Sequence, residues 1–313
     1  MLSRWFIPST LFAATVALAP AASATPEYHQ FGPSDSCTTI TAGDGTSPWC
    51  LGVTAVSGQH QAYYWDYNAD GGSGAWEGTG EYGTAIALAW NNDGLNIPFM
   101  LTNTSTPIIG GIAAGNDIGG TTTFSWFQIP GSGTSLSGAS VWYGATGGNG
   151  GPFLYTTGSS SGTVECNIDS PDGGYSGWVN ASPSGAGVQI SVSQDLTSVW
   201  AITSTNAIYH LTDGFQYFEG SSGPCDSEGT WTLVSGSAKV ISAGSGGRTQ
   251  TQPPWIIGGS RDVYQYVGGS SPWSHIANNT GGVGPDGIAK SLSVGANGTI
   301  YIVDDNNDVW TYY

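Results

Sequence analysis

The chain has 313 residues, with 5 basic against 22 acidic side chains and a formal net charge of −17. A surface this acidic, without clustered Lys and Arg, excludes nucleic acid and anionic membranes as partners. Fifty glycines, 13 tryptophans and 15 tyrosines, with almost no apolar period of a helix, predict short strands joined by tight turns and packed through aromatic rings.

The first segment, residues 1–24, carries Arg4, an apolar stretch and small residues at Ala22 and Ala24. It reads as a secretory signal peptide, so the protein is expected to be secreted, extracellular or periplasmic. No later stretch is long and apolar enough to predict a membrane span. Four cysteines follow, Cys37, Cys50, Cys166 and Cys225. An even number in an exported chain predicts disulfides; of three pairings, proximity favours Cys37 with Cys50 and Cys166 with Cys225. There is no CxxC, and His29, His60, His210 and His275 are scattered singly, so nothing in the spacing resembles a zinc site.

Residues 25–48 form an N-terminal segment with a candidate closing strand, ahead of a repeat region over 49–313. The stretch "DYNADGGSGAWE" places Asp66, Asn68 and Asp70 before Gly71, with Glu77 beyond. Oxygens at alternate positions, a glycine for the turn and a distal carboxylate are the parts of a calcium loop. Its flanks, "QAYYW" and "GTGEYGT", are strand-like, so a plain polar hairpin turn is the competing reading. "DDNND" at Asp304–Asp308 is a weaker variant that occupies the matching place in the last repeat.

The repeat is marked by Trp76, Trp126, Trp178, Trp231 and Trp273, spaced by 50, 52, 53 and 42 residues. A second marker is a ten-residue hairpin unit: "WAITSTNAIY" from Trp200, "WIIGGSRDVY" from Trp255, "YIVDDNNDVW" from Tyr301 and, more loosely, "FMLTNTSTPI" from Phe99. Each is an apolar strand, a polar centre and a returning strand. "VQISVSQD" and "KSLSVGAN" add an alternating strand upstream of two of them. Four strands in about fifty residues, repeated, predict an all-β propeller. Six blades are preferred and five are the alternative. The last unit stops at its third strand, so the ring is expected to close with a strand from the N-terminal side, near Trp49.

Catalytic motifs are thin. "GSSSG" at Gly158 lacks the strand and helix of a nucleophile elbow, and "GPDGIAKS" at Gly284 lacks the glycine before the lysine of a phosphate loop. Acid pairs such as Glu77 with Glu81 leave a hydrolase as an alternative.

"WFQIPGSGTSLSGASVWYG", "ISVSQDLTSVWAITSTNAIYHL" and "LSVGANGTIYIVDDNNDVWTYY" together resemble tectonin repeats: a Trp, a short turn with Pro and Gly, an "isvg" strand, a "vWai" strand and an "iYry"-like strand. The resemblance implies a lectin-type propeller that recognises glycans or polysaccharide. Trp178, Trp200, Trp231, Trp255 and Trp273 have the period of the fold and are expected in the packing. A sugar-binding ring sits instead in a turn, beside groups that bond hydroxyls. The candidates are therefore Asn206, Tyr209, Arg261, Asp262, Tyr264, Asp305, Asn307 and Trp310. A polysaccharide hydrolase or lyase with an acidic site in the central channel, and a protein-binding scaffold, are the rival functions.

Overall fold

The computed structural model describes residues 26–43, 45–69, 73–90, 96–103, 108–116, 122–129, 131–140, 152–157, 163–169, 175–180, 187–193, 198–212, 230–244, 246–247 and 250–313. The leader, Asp70, the GSSSG run and Cys225 lie outside them. Every regular element among the described residues is a strand, and no helix is long and apolar enough to cross a membrane.

Six four-stranded antiparallel sheets follow one another around a ring. Blade one is Cys37–Thr41, Trp49–Val56, Gln59–Asp66 and Ala75–Gly83. Blade two is Ala85–Trp90, Asn96–Leu101, Ile108–Asn116 and Thr122–Ile129. Blade three is Ser135–Ser140, Pro152–Thr157, Val164–Asp169 and Tyr175–Asn180. Blade four is Gly187–Val192, Val199–Thr203, Ile208–Thr212 and Thr230–Val234. Blade five is Val240–Ser242, Trp255–Ile257, Val263–Tyr266 and Trp273–His275. Blade six takes Ala289–Val294, Ile300–Asp304 and Val309–Tyr312 from the C-terminus and Tyr28–Gln30 as its outer strand.

The closing strand is thus Tyr28–Gln30, whereas Trp49 opens the second strand of blade one, paired with Thr41 and Tyr64. The reason is local: Trp49 is saturated by its own hairpins, while Val309–Tyr312 has a free edge that only an upstream strand can cover. The repeat is also phased differently from its sequence reading. Trp76, Trp126, Trp178, Trp231 and Trp273 all lie on outer strands and stand opposite Trp65, Gly111, Asn167, Leu211 and Tyr266. Tyr28 opposite Tyr312 completes the six.

The core lies between blades, and each blade contributes an aromatic residue at one second-strand position. Trp49, Phe99, Trp200, Trp255 and Tyr301 there are at most 3% exposed. Register puts Tyr155 in the same place in blade three. Trp255 packs with Leu292 and Ile302 of blade six, and Trp200 with Ile241 and Ile256 of blade five. Each such ring removes enough apolar surface to contribute roughly 1.5–3 kcal/mol.

The serines of the "isvg" strands tie the blades at the axis. Ser137 Oγ accepts from Val192 N (3.0 Å), Ser191 Oγ from Ala243 N (2.9 Å), Ser242 Oγ from Val294 N (3.0 Å) and Ser293 Oγ from Ala42 N (2.9 Å). Four junctions therefore use one hydroxyl-to-amide bond, which satisfies inner-edge amides that no strand covers. Cys37 and Cys50 are bonded across the first two strands of blade one, with Cα atoms 5.8 Å apart. Buried Cys166 is disulfide-bonded as well. That chemistry belongs to an oxidising compartment.

Candidate functional site

Antiparallel order sorts the loops. Turns between second and third strands, and links from an outer strand to the next inner strand, emerge on one face of the ring; the other loops emerge on the opposite face. "DYNADGGSGAWE" joins a third strand to an outer strand, while "DDNND" joins a second to a third. The two loops therefore lie on opposite faces and are not equivalent. In the first, Asp66 Oδ1 accepts from Asn68 N at 2.8 Å, the self-bonding turn that the competing reading anticipated. Glu77 pairs with Tyr64 on the adjoining strands. In the second, the buried Asp304 carboxylate accepts from Asn306 N, Asp308 N and Trp310 Nε1, all within 3.0 Å.

The face of the second-to-third turns carries all the sugar candidates. Asn206, Arg261 and Asn307 occupy one position in blades four, five and six, with φ of 63°, 71° and 65°. Their amides donate to Thr203 O, Gly258 O and Asp304 O at 2.9–3.1 Å. Each is a type I turn followed by a left-handed residue. Asparagine takes that conformation readily; arginine is uncommon there, and such an outlier points toward function.

Blades five and six bring most of these residues together. The Arg261 guanidinium pairs with the Asp305 carboxylate of the next blade. Tyr264 donates to Asp262 Oδ2 (3.3 Å), and Ser260 donates to the same oxygen. Burial, then the Asp262 carboxylate, pushes the Tyr264 phenol up, which keeps its donor proton in place. Asn307 is engaged inward, accepting from Lys290 Nζ and donating to Asp35 Oδ1 (2.7 Å). Desolvation lowers Lys290, against the opposing pull of Asp304 and Asp35. Asn206 and Tyr209 stand apart on blade four, where the Asn206 carbonyl accepts from Ala238 N of blade five.

The link 276–288, between blades five and six, adds residues that sequence reasoning passed over. Asp286 Oδ1 accepts from Val263 N (2.9 Å), and His275 Nε2 lies 2.9 Å from Asp286 Oδ2. Asn278 holds both the amide and the carbonyl of Asp286, at 2.9 and 3.2 Å. His275 stands opposite Tyr264 in the sheet. The signal for it was the register of the outer strand, which no local pattern displays.

The central channel encloses about 410 Å³ between the six inner strands. Thr39, Ser135, Gln189, Ser191, Lys239 and Lys290 are among its lining residues. No carboxylate among the described residues lines it.

Most of the chain is similar in fold to solved propellers. The β-propeller domain of Cps50 (Swd1) from Myceliophteria thermophila matches with a TM-score of 0.52 at 10% identity, over 91% of this chain and 98% of that one. The fungal Aleuria aurantia lectin, described as a six-bladed β-propeller with a novel fucose recognition mode, matches with a TM-score of 0.51 at 12% identity, over 89% and 93%. By fold, the chain is a six-bladed β-propeller. No protein family matches its sequence, and no curated protein is similar to it. The tectonin likeness stands on its motifs alone.

Proposed function

We propose that this propeller is a secreted carbohydrate-binding protein whose contact surface is the turn face of blades five and six. The observation that carries the proposal is the gathering there of Arg261, Asp262, Tyr264 and Asp305 from two adjacent blades. Charged and hydroxyl groups beside partly exposed rings match what a pyranose needs: bonds to its hydroxyls and a ring against its apolar face. Trp310 is partly buried below them, with its indole N–H committed to Asp304, so Tyr264 is the stacking ring in this proposal. That a propeller of similar outline recognises fucose in the fungal lectin supports the fold as a scaffold for sugar contacts, without assigning the sugar. Individual sites of this kind are shallow and weak, and a polyvalent glycan raises their avidity.

Calcium at Asp66, Asn68, Asp70 and Glu77 remains part of the proposal on residue chemistry alone. Lying on the opposite face, it would brace an outer hairpin rather than touch the glycan. The test is a glycan-array screen of the purified protein with calcium and with a chelator. Binding that Arg261→Ala and Tyr264→Ala both weaken, with melting temperature unchanged, supports the turn-face reading. Wild-type protein that captures no glycan defeats it, and chelator sensitivity removed by Glu77→Gln reports on the calcium loop.

A further inference from the structure

Asp262, His275 and Asp286 come from a turn, an outer strand and a blade link, yet one donor atom from each lies within 4.8 Å of the others. From these we infer a three-ligand site for a divalent transition metal of the zinc type, separate from sugar binding in its logic and its readout. His275 Nε2 is 2.9 and 3.1 Å from the two oxygens of Asp286. Those separations match the edge of roughly 3.0 Å between neighbouring ligands of a six-coordinate ion with bonds of about 2.1 Å, whereas a tetrahedral ion would open them to about 3.4 Å.

The two carboxylate ligands are held by a second layer of bonds, as metal sites require. Tyr264 and Ser260 donate to Asp262 Oδ2. Val263 N donates to Asp286 Oδ1, and Asn278 clamps the Asp286 backbone from both sides. The nearby positive charge, Arg261, is already neutralised by Asp305, so it does not oppose a cation. Imidazole with two carboxylates suits zinc, cobalt or nickel better than calcium, which takes oxygen ligands only. Since His275 is exposed and Asp262 half-buried, three protein ligands leave outer positions to solvent or to an incoming oxygen donor.

The test is titration of the metal-free full chain with Zn²⁺ by calorimetry, and with Co²⁺ by its visible ligand-field absorption. One equivalent is expected to bind. Affinity should fall by at least about tenfold in both His275→Gln and Asp262→Asn, and measurably in Tyr264→Phe, which removes only a supporting bond. His60→Gln, on the third strand of blade one, should change nothing. Absence of zinc binding by the wild-type protein overturns the inference; so does binding that survives both ligand substitutions, or binding that is lost in His60→Gln instead. Neither readout involves a sugar, so failure of the glycan proposal leaves this one standing.

Discussion

Tyr28 and Tyr312, from opposite ends of the chain, stand in register across blade six with ring centroids 4.9 Å apart. Tyr28 is 2% exposed and donates from its hydroxyl to Ile276 O (3.2 Å). Asn279 secures the same residue, accepting from Tyr28 N at 2.8 Å and donating to Tyr28 O at 2.7 Å. Burial raises the Tyr28 phenol far above the usual tyrosine range. Ring closure therefore depends on one short strand latched by the link between blades five and six.

Tyr28→Ala is expected to cost about 3–5 kcal/mol, the range for emptying a buried aromatic position. Asn279→Ala should cost less, because its lost bonds are partly replaced by water. Urea unfolding measures both, and equal effects would mean that the ring packing contributes little to closure.

Reducing the Cys37–Cys50 bond, which spans 13 residues, should lower stability by about 3 kcal/mol through the entropy of the unfolded chain. A Cys37→Ala/Cys50→Ala protein compared with wild type by denaturant midpoint gives the value. The fold should survive, since the two strands keep their ladder and Ile40 keeps its place in the blade six–blade one core.

Ser242→Ala and Ser191→Ala each leave an inner-strand amide, Val294 N or Ala243 N, without its acceptor. Each should cost about 1–2 kcal/mol, the penalty for stranding one buried donor. The amide that Ser191 accepts from belongs to Ala243, the residue after Ser242, so the two sites are close enough to couple and the double variant should depart from the sum. A loss near zero would mean that channel water replaces the hydroxyl.

His210 lies flat on Trp200, with centroids 4.2 Å apart and planes at 17°. Burial lowers its pKa below 6.5 in the folded state. The unfolded chain takes up the proton first, so the stability present above the unfolded value is lost as pH falls through the imidazole range. Unfolding midpoints measured between about pH 7.5 and about pH 5.5 should fall for wild type and fall less steeply for His210→Gln. Parallel slopes would show that other groups control the acid limb.

How much was legible in advance differs from one residue to another. The hairpins at Trp200, Trp255 and Tyr301 could be read directly, because an apolar strand, a polar turn and a return strand are close in sequence. The tryptophan period gave units of about fifty residues, with six blades preferred over five, but not their phase. Trp273 sits on an outer strand, and which blade an outer strand joins is fixed by edge pairing rather than by composition. Arg261 and Asp305 were both readable as turn residues, yet nothing local showed that their turns belong to neighbouring blades.

The sequence by itself determined the strand content, the repeat, the turn chemistry and the acidic character, all of which follow from short-range propensity and counting. Tertiary structure alone decided that Tyr28–Gln30 closes the ring, that serines of the inner strands join one blade to the next, and that Asp262, His275 and Asp286 converge. Those relationships depend on where free strand edges find partners, and the chain meets that condition only once the ring has formed.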